Sequence, residues 1–407
     1  MGAPSNTPRI AVVGAGVVGA ATALRLRQRG AEVWLVDRAA PGSGCSAGNS
    51  GAISPASVAP LALPGVLAAV PGMLLDGESP LYLPLAYLPR ALPWLLRFVA
   101  SAQPRRVAEA AQRLDALHRG TIEMHERMAQ ALGVPELFLR QGHLHVYPDA
   151  AALAKDATGW RLRAEYGYRC ERLDRAGIAA LEPRLSPVYR VGMFLADHAT
   201  ILNPRRYVEA MAQAFVAAGG RLVRADVAAL RPQDGRWTLQ GLDAADGAVR
   251  FDQVVVAGGA WSGALLQPLG VRLALESQRG YHLQFAGGQD TVSRTVVLAD
   301  RKVFVTPMEE GLRVGGTVEI AGLAAPPDAR RAEVLARIAR SCFDGLQGLA
   351  TRTWMGHRPC MPDSVPVVGP AAGYPGLWLA VGHGHLGLTG SLPTAQRIAD
   401  GILGPQP

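Results

Sequence analysis

Arg9-Ile10-Ala11-Val12-Val13-Gly14-Ala15-Gly16-Val17-Val18-Gly19 is the stretch that decides the fold of this chain. An apolar strand runs into a glycine-spaced turn. A helix follows over 17–29, Gly30 ends it, and Val33-Trp34-Leu35-Val36 forms a second strand that leads to Asp37. Each glycine is there for a physical reason. Gly14 permits the tight turn, Gly16 lets backbone approach a pyrophosphate, and Gly19 lets helix and strand pack closely. The helix dipole, at Val17 and Val18, then faces the phosphates. Asp37, followed by Arg38, is placed to accept hydrogen bonds from a ribose whose ligand carries no 2′-phosphate. The unit as a whole predicts a bound dinucleotide.

With 407 residues the chain exceeds the usual single-domain range, so two domains are expected. Its net charge of +8 is almost wholly arginine, because Lys155 and Lys302 are the only lysines. No basic run is interleaved with aromatics, which argues against nucleic acid; the charge suits an anionic substrate or an anionic membrane surface. Cys45, Cys170, Cys342 and Cys360 are scattered without CxxC spacing and read as reduced thiols, with no metal expected. No basic-then-apolar leader precedes the first strand, so a cytoplasmic protein is expected, with peripheral contact on the inner face of the membrane left open.

Residues 58–75 and 81–100 are rich in Leu, Ala and Val, yet Pro60, Pro64, Pro71, Pro84, Pro89 and Pro93 argue against spanning helices. They read as one apolar, partly irregular excursion: a cover on a core, a lid over a site, or a patch that docks on a bilayer. A helical pattern then runs from Pro104 through Val107, Leu114, Ile122 and Met128 to Gly133. His143 and His145 share one face of a strand, where a solvated or packed face is favoured over a metal site because no third ligand is near. Val254-Val255-Val256-Ala257-Gly258-Gly259 is a buried strand ending in glycines, so the dinucleotide fold resumes there after an insertion. The expected class is α/β, with a discontinuous Rossmann-type domain (1–57, 198–262 and 356–407). It is interleaved with an α+β substrate domain (58–197 and 263–355) on a mixed or antiparallel sheet.

Four motifs together resemble the FAD-dependent oxidoreductases of the D-amino-acid oxidase superfamily. They are the N-terminal unit; Gly44-Cys45-Ser46-Ala47-Gly48-Asn49-Ser50-Gly51-Ala52-Ile53; Gly356-His357-Arg358-Pro359 with the following Pro362-Asp363 turn; and Gly382-His383-Gly384-His385-Leu386-Gly387-Leu388-Thr389. Arg279-Gly280-Tyr281-His282 and Gly311-Leu312-Arg313-Val314-Gly315-Gly316-Thr317-Val318-Glu319 look most like the D-amino-acid dehydrogenase branch, which includes hydroxyproline dehydrogenases. The resemblance implies FAD as cofactor. It places Cys45, Ser46, Asn49, Ser50, Gly51 and Ile53 against the flavin, Val227 at the adenine, and Gly258, Trp261 and Gly384 along the cofactor. Gly387, Leu388 and Thr389 become donors at flavin O2. Gly356 stands where sarcosine oxidases carry their tethering cysteine, so the FAD is expected to be noncovalent.

Within that frame, oxidation of an amino acid requires a fixed carboxylate and an alpha hydrogen aimed at flavin N5. Arg358 is the expected anchor, because a guanidinium grips a carboxylate through two parallel bonds; pairing with Asp363 is the structural alternative. Tyr281 is a second contact to carboxylate or amine, or else a core tyrosine. His282, His383 or His385 is a candidate to take the amine proton. The implied reaction is oxidative deamination of a D-amino acid, a proline-like one among the candidates, with electrons passed to a quinone or another carrier. An oxygen-using oxidase, an L-amino-acid deaminase and a non-catalytic FAD-binding subunit are the alternatives. Oligomeric state does not follow from the sequence.

Overall fold

The computed structural model describes residues 7–64, 81–244 and 247–406. Strand Arg9–Val13 lies at the centre of a six-stranded sheet, flanked by Glu32–Asp37 and Gln253–Val256. Arg221–Arg224 adds parallel to one edge; Leu377–Val381 adds parallel to the other, and Val367–Pro370 closes it antiparallel. Because the chain leaves the central strand to build on both sides, a crevice opens at its carboxyl end, where Gly14 begins the turn. Helix Val17–Gln28 packs against the sheet and against helices Pro204–Ala217 and Ser391–Leu403. Its inner face of Ala20, Ala21, Leu24 and Leu26 is almost wholly shielded from solvent. Asn203 caps the 204–217 helix by accepting a bond from the Arg206 N–H at 3.0 Å.

A second, mixed sheet runs in the order Thr351–Cys360, Glu276–Phe285, Gly311–Ile320, Val303–Met308, Thr295–Leu298, His143–Tyr147, Val191–Leu195, Glu171–Leu173. Most pairings are antiparallel; 295–298 pairs parallel with 143–147, and Leu81–Tyr82 adds parallel to 311–320. Helix Arg330–Cys342 covers one face. The opposite face of the first three strands meets residues 44–51, which belong in sequence to the dinucleotide half.

Several expectations are corrected in detail. The division at residue 356 falls inside a strand, since 351–360 pairs with 276–285 along its full length. The helical run 104–133 is two helices, Pro104–His118 and Thr121–Ala131, because Gly120 takes φ +77° between them. Of the apolar excursion, residues 65–80, with Pro71, lie outside the described residues. The rest is more regular than its prolines suggest: Leu88–Ser101 is a helix with Pro89 in its first turn and Pro93 inside it. That helix packs Ala91 and Trp94 against Ile320 and Cys360, and Trp94 Nε1 donates to the Cys360 carbonyl at 3.1 Å. Among the described residues no helix is long and apolar enough to cross a membrane.

Candidate active site

The glycine turn has the shape of a phosphate cradle. Gly14 adopts φ +111°, and a Cβ there would collide with the Ala257 carbonyl; a Cβ at Gly19 would collide with the Gly14 carbonyl. Both glycines are therefore demanded by the chain itself. Gly16 is different: its φ is −70°, and a Cβ would meet nothing closer than Ser46 Oγ at 3.4 Å. A glycine that the polypeptide does not need is accounted for by a ligand that approaches its backbone. The following helix has no side-chain cap at its N-cap residue, and the Val17 N–H is met by Ser46 Oγ at 2.9 Å. Asp37 Oδ2 accepts from Ala15 N–H at 2.6 Å and Oδ1 from Ala39 N–H at 2.8 Å. Each oxygen keeps a second lone pair for a ribose hydroxyl. Val227 follows the strand whose Arg224 pairs with Asp37, and Arg38 lies 4.7 Å over the Trp261 ring beside Gly258.

The flavin-end motifs converge. Thr389 Oγ1 accepts from Ser54 N–H at 3.1 Å and donates to the Ala52 carbonyl at 3.2 Å, which ties the 384–389 loop to the 44–55 segment. Gly51 is held at φ +74° against Ile201, next to Ile53, which is fully buried; Asn49 Oδ1 accepts the Gly51 N–H at 2.8 Å across Ser50. Leu386 and Gly390 donate their N–H groups into local turns. The N–H groups of Gly387, Leu388 and Thr389 find no main-chain acceptor among the described residues, as donors kept for a ligand oxygen would be. These features fit FAD: a pyrophosphate cradle, a ribose carboxylate, and free donors at the far end.

Arg358 lies on the sheet face that meets this segment. Its guanidinium covers Gly280 of the neighbouring strand, where any Cβ would fall inside it, and Nη1 donates to the Thr317 carbonyl at 3.0 Å. Among the described residues it has no acidic partner. Asp363, the alternative, instead stands 3.9 Å from Arg113. Burial lowers the Arg358 pKa, and the thiols of Cys45 and Cys360 act the other way. His282 shares this face; its ring stacks on Trp354 at 5.0 Å, and its Nδ1 lies 3.2 Å from the Gly48 carbonyl.

The remaining site expectations are corrected. Tyr281 points to the opposite face: its hydroxyl donates to Glu319 Oε2 at 2.5 Å and accepts the Asp328 N–H at 2.9 Å, so it is a core tyrosine. Period-two alternation along the strand puts it behind His282 and away from Arg358. Neither of the buried candidates, His282 and His383, has the near-neutral pKa expected of a proton acceptor. His282 is lowered to about 3 by burial, then by Arg313 and Arg358. His383 is lowered to about 3 by burial and His118, and its Nε2 is bonded to Thr394 Oγ1 at 2.9 Å, which makes it a tether between loop and helix. His385 opens to the surface. His143 belongs to a buried pair, its Nδ1 3.0 Å from Nδ1 of His198, while His145 packs edge-on to Trp160.

Three residues were not assigned from the sequence. Arg313 Nη1 donates to the Ala47 and Asn49 carbonyls at 3.0 and 2.6 Å, and its other donors bond Gln284 Oε1, so it clamps the flavin-side segment to the sheet. Trp354 occupies the space over Gly48 and Gly356. Thr317 supplies the carbonyl under Arg358. The alternation that puts Arg313 on one face with His282 and Gln284 was legible; the depth of the two indole-facing glycines was not.

Comparison with known proteins gives the family and the fold. Residues 9–401 match the family described as DAO, FAD dependent oxidoreductase. The chain is 37% identical over 405 residues to a D-amino-acid oxidase of Bradyrhizobium diazoefficiens, covering 98% of this chain and 96% of that protein. It is 36% identical over 420 residues to D-amino acid dehydrogenase 2 of Ralstonia nicotianae, covering 96% of each. Among solved structures, glycine oxidase from Geobacillus kaustophilus superposes with a TM-score of 0.73 at 20% identity, covering 98% of this chain and 96% of that one.

Proposed function

Because the chain belongs to the FAD-dependent oxidoreductase (DAO) family, with FAD as its cofactor, we propose that it oxidises the alpha carbon of a D-amino acid. A hydride leaves Cα, the nitrogen loses a proton, and the product is an imino acid. Water then converts it to an oxo acid and ammonia, or a proline-like substrate leaves a cyclic imine. FAD, when bound, supplies the acceptor for the electron pair. The observation that carries the reading is Arg358: a guanidinium with no acid beside it among the described residues, fixed by one carbonyl, with donors left for a carboxylate.

The other side chains on this face orient and exclude water. Trp354 stacks on His282 and fixes its ring, and the Gly48 carbonyl takes the Nδ1–H of a neutral imidazole, which leaves Nε2 as an acceptor for an amine N–H. Burial and the nearby Arg313 keep the imidazole neutral, so His282 holds that amine as an acceptor, and the iminium left by hydride loss passes its proton to water. Arg313 and Thr389 fix the segments on either side.

Electrons pass on to a quinone or another carrier in this reading. Leu85, Leu92 and Leu96, exposed at 84%, 47% and 62% beside the Arg358 strand, support an apolar acceptor at the surface. The relative named D-amino-acid oxidase supports oxygen instead. Anaerobic mixing of the yellow holoenzyme with D- and L-amino acids, D-proline and the hydroxyproline isomers tests the substrate class. Bleaching by D substrates alone is expected; bleaching by none contradicts it, and steady peroxide release in air would transfer the acceptor role to oxygen.

A further inference from the structure

The seat of Arg358 is built by two backbone features of neighbouring strands, and we propose that Gly280 and Thr317 are positioning residues that preset the guanidinium for its ligand. The inference rests on the reading of Arg358 as the carboxylate anchor. Gly280 lies directly opposite Gly356, and Arg358 opposite Gln278, so the arginine side chain folds back along the strand across the bare Cα of Gly280. A methyl group there would occupy the volume of Cζ and both terminal nitrogens. On the other side, the 311–320 strand slips register between Arg279 and Tyr281. At that slip Thr317 takes φ +64°, a left-handed conformation that a β-branched residue rarely adopts. The slip turns the Thr317 carbonyl towards Nη1 of Arg358.

The chemistry explains why a carbonyl is used. A carboxylate in that place would neutralise the guanidinium and compete with the incoming ligand; a carbonyl satisfies one donor and leaves the charge intact. The strained threonine is held in place from two directions: its Oγ1 accepts the Tyr281 N–H at 3.3 Å, and Val318, next to it, pairs with Leu81. A backbone outlier that aims a carbonyl at a charged ligand-binding group is the pattern in which local strain serves function.

The test is a pair of variants in the holoenzyme. Gly280→Ala evicts the guanidinium from its seat. The expected result is a fall in kcat/KM for a reactive D-amino acid on the order of 10²-fold, carried mainly by KM, with FAD content and Tm near wild type. In an Arg358→Ala background the same substitution has nothing to displace, so its further effect shrinks to within about two-fold. An equal loss in both backgrounds would overturn the seat. Thr317→Val removes the hydroxyl that holds the left-handed turn and keeps the β-branch that disfavours it, so the carbonyl moves off Nη1 and KM rises several-fold at unchanged FAD loading; an unchanged KM would remove Thr317 from the proposal. It also carries the test if Gly280→Ala does not fold. If Arg358→Lys leaves KM unchanged, the anchor reading fails, and that result differs from a seat variant without effect on an enzyme that does depend on Arg358.

Discussion

Arg279 and Arg358 come from adjacent strands and lie on opposite faces of the same sheet, and they are held in contrasting ways. Arg279 is wholly buried; its Nε stands 3.5 Å from Glu319 and Nη2 donates to the Pro326 carbonyl at 2.8 Å. Glu319 also accepts the Tyr281 hydroxyl, so a cation, an anion and a phenol close on one another. Arg358 has a carbonyl and, among the described residues, no anion. A buried charge costs free energy unless it is compensated. On the Arg279 face the charge is met by Glu319, although Nε and Nη1 make no hydrogen bond, and the role is structural. On the Arg358 face one carbonyl is the only bonded partner among the described residues, and it is this open cation that we propose for the carboxylate of the substrate.

The largest effect expected from breaking this contrast is on catalysis. Arg358→Ala removes two charge-assisted bonds, each worth about 1.5–3 kcal/mol, and kcat/KM for D-amino acids should fall by about 10²–10⁴-fold with FAD still bound. A steady-state comparison at equal flavin loading checks it. Arg279→Met should do the reverse. Leaving Glu319 without its cation costs about 3–5 kcal/mol of stability, read as a lowered Tm, while KM stays within about two-fold of wild type because no contact to the anchor is lost. Tyr281→Phe removes two hydrogen bonds, one to the charged Glu319 and one from the Asp328 N–H, and should lower stability by about 2–4 kcal/mol, again with KM held; a KM change would return Tyr281 to the substrate face.

The histidines give the smallest step per group. His143 is lowered by burial to about 4, its Nε2 bonding the Ala199 carbonyl at 2.9 Å; His198 is also lowered, by burial and then by His143. With Nε2–H spent on Ala199, His143 Nδ1 must accept from His198, so both rings are neutral in the fold. A depressed histidine binds its proton more readily in the unfolded chain. Its stabilisation is therefore fully present above pH 6.5 and is lost as pH falls towards the folded value, by about 1.4 kcal/mol per pH unit for each ring. Thermal melts of the holoenzyme from pH 7.5 to 4.5 should show Tm falling below pH 6.5, with the buried His118, His125, His282 and His383 contributing beside the pair, and His143→Asn should remove one ring's share of that slope. A flat profile in the wild type would contradict the neutral pair.

Much of this was legible in the residues. Gly14, Gly19 and Asp37 could be read because a strand, a tight turn and a helix constrain one another over a few residues, and the 384–389 loop because its glycines and Thr389 form a local motif. The face of Tyr281 was harder to read: alternation predicts that it opposes His282, but only the packed sheet shows which face meets residues 44–51. The seat of Arg358 was not legible, since it depends on a register slip at Thr317 between strands some forty residues apart in sequence. Leu88–Ser101 escaped for a different reason. Pro93 lowers local helix propensity, and the packing of Ala91 and Trp94 on Ile320 and Cys360 overrides it.

The claim that joins these observations is that Arg358 holds the carboxylate of a D-amino acid while the flavin is reduced. Rapid anaerobic mixing of D-alanine with wild-type and Arg358→Lys holoenzymes, followed by the loss of yellow flavin absorbance, measures it without any external acceptor. A lysine keeps the charge but loses the fork. The account predicts reduction of both enzymes, with a half-saturating concentration at least about ten-fold higher in the lysine variant, as loss of one charge-assisted bond requires. Equal half-saturation at equal FAD loading would contradict it.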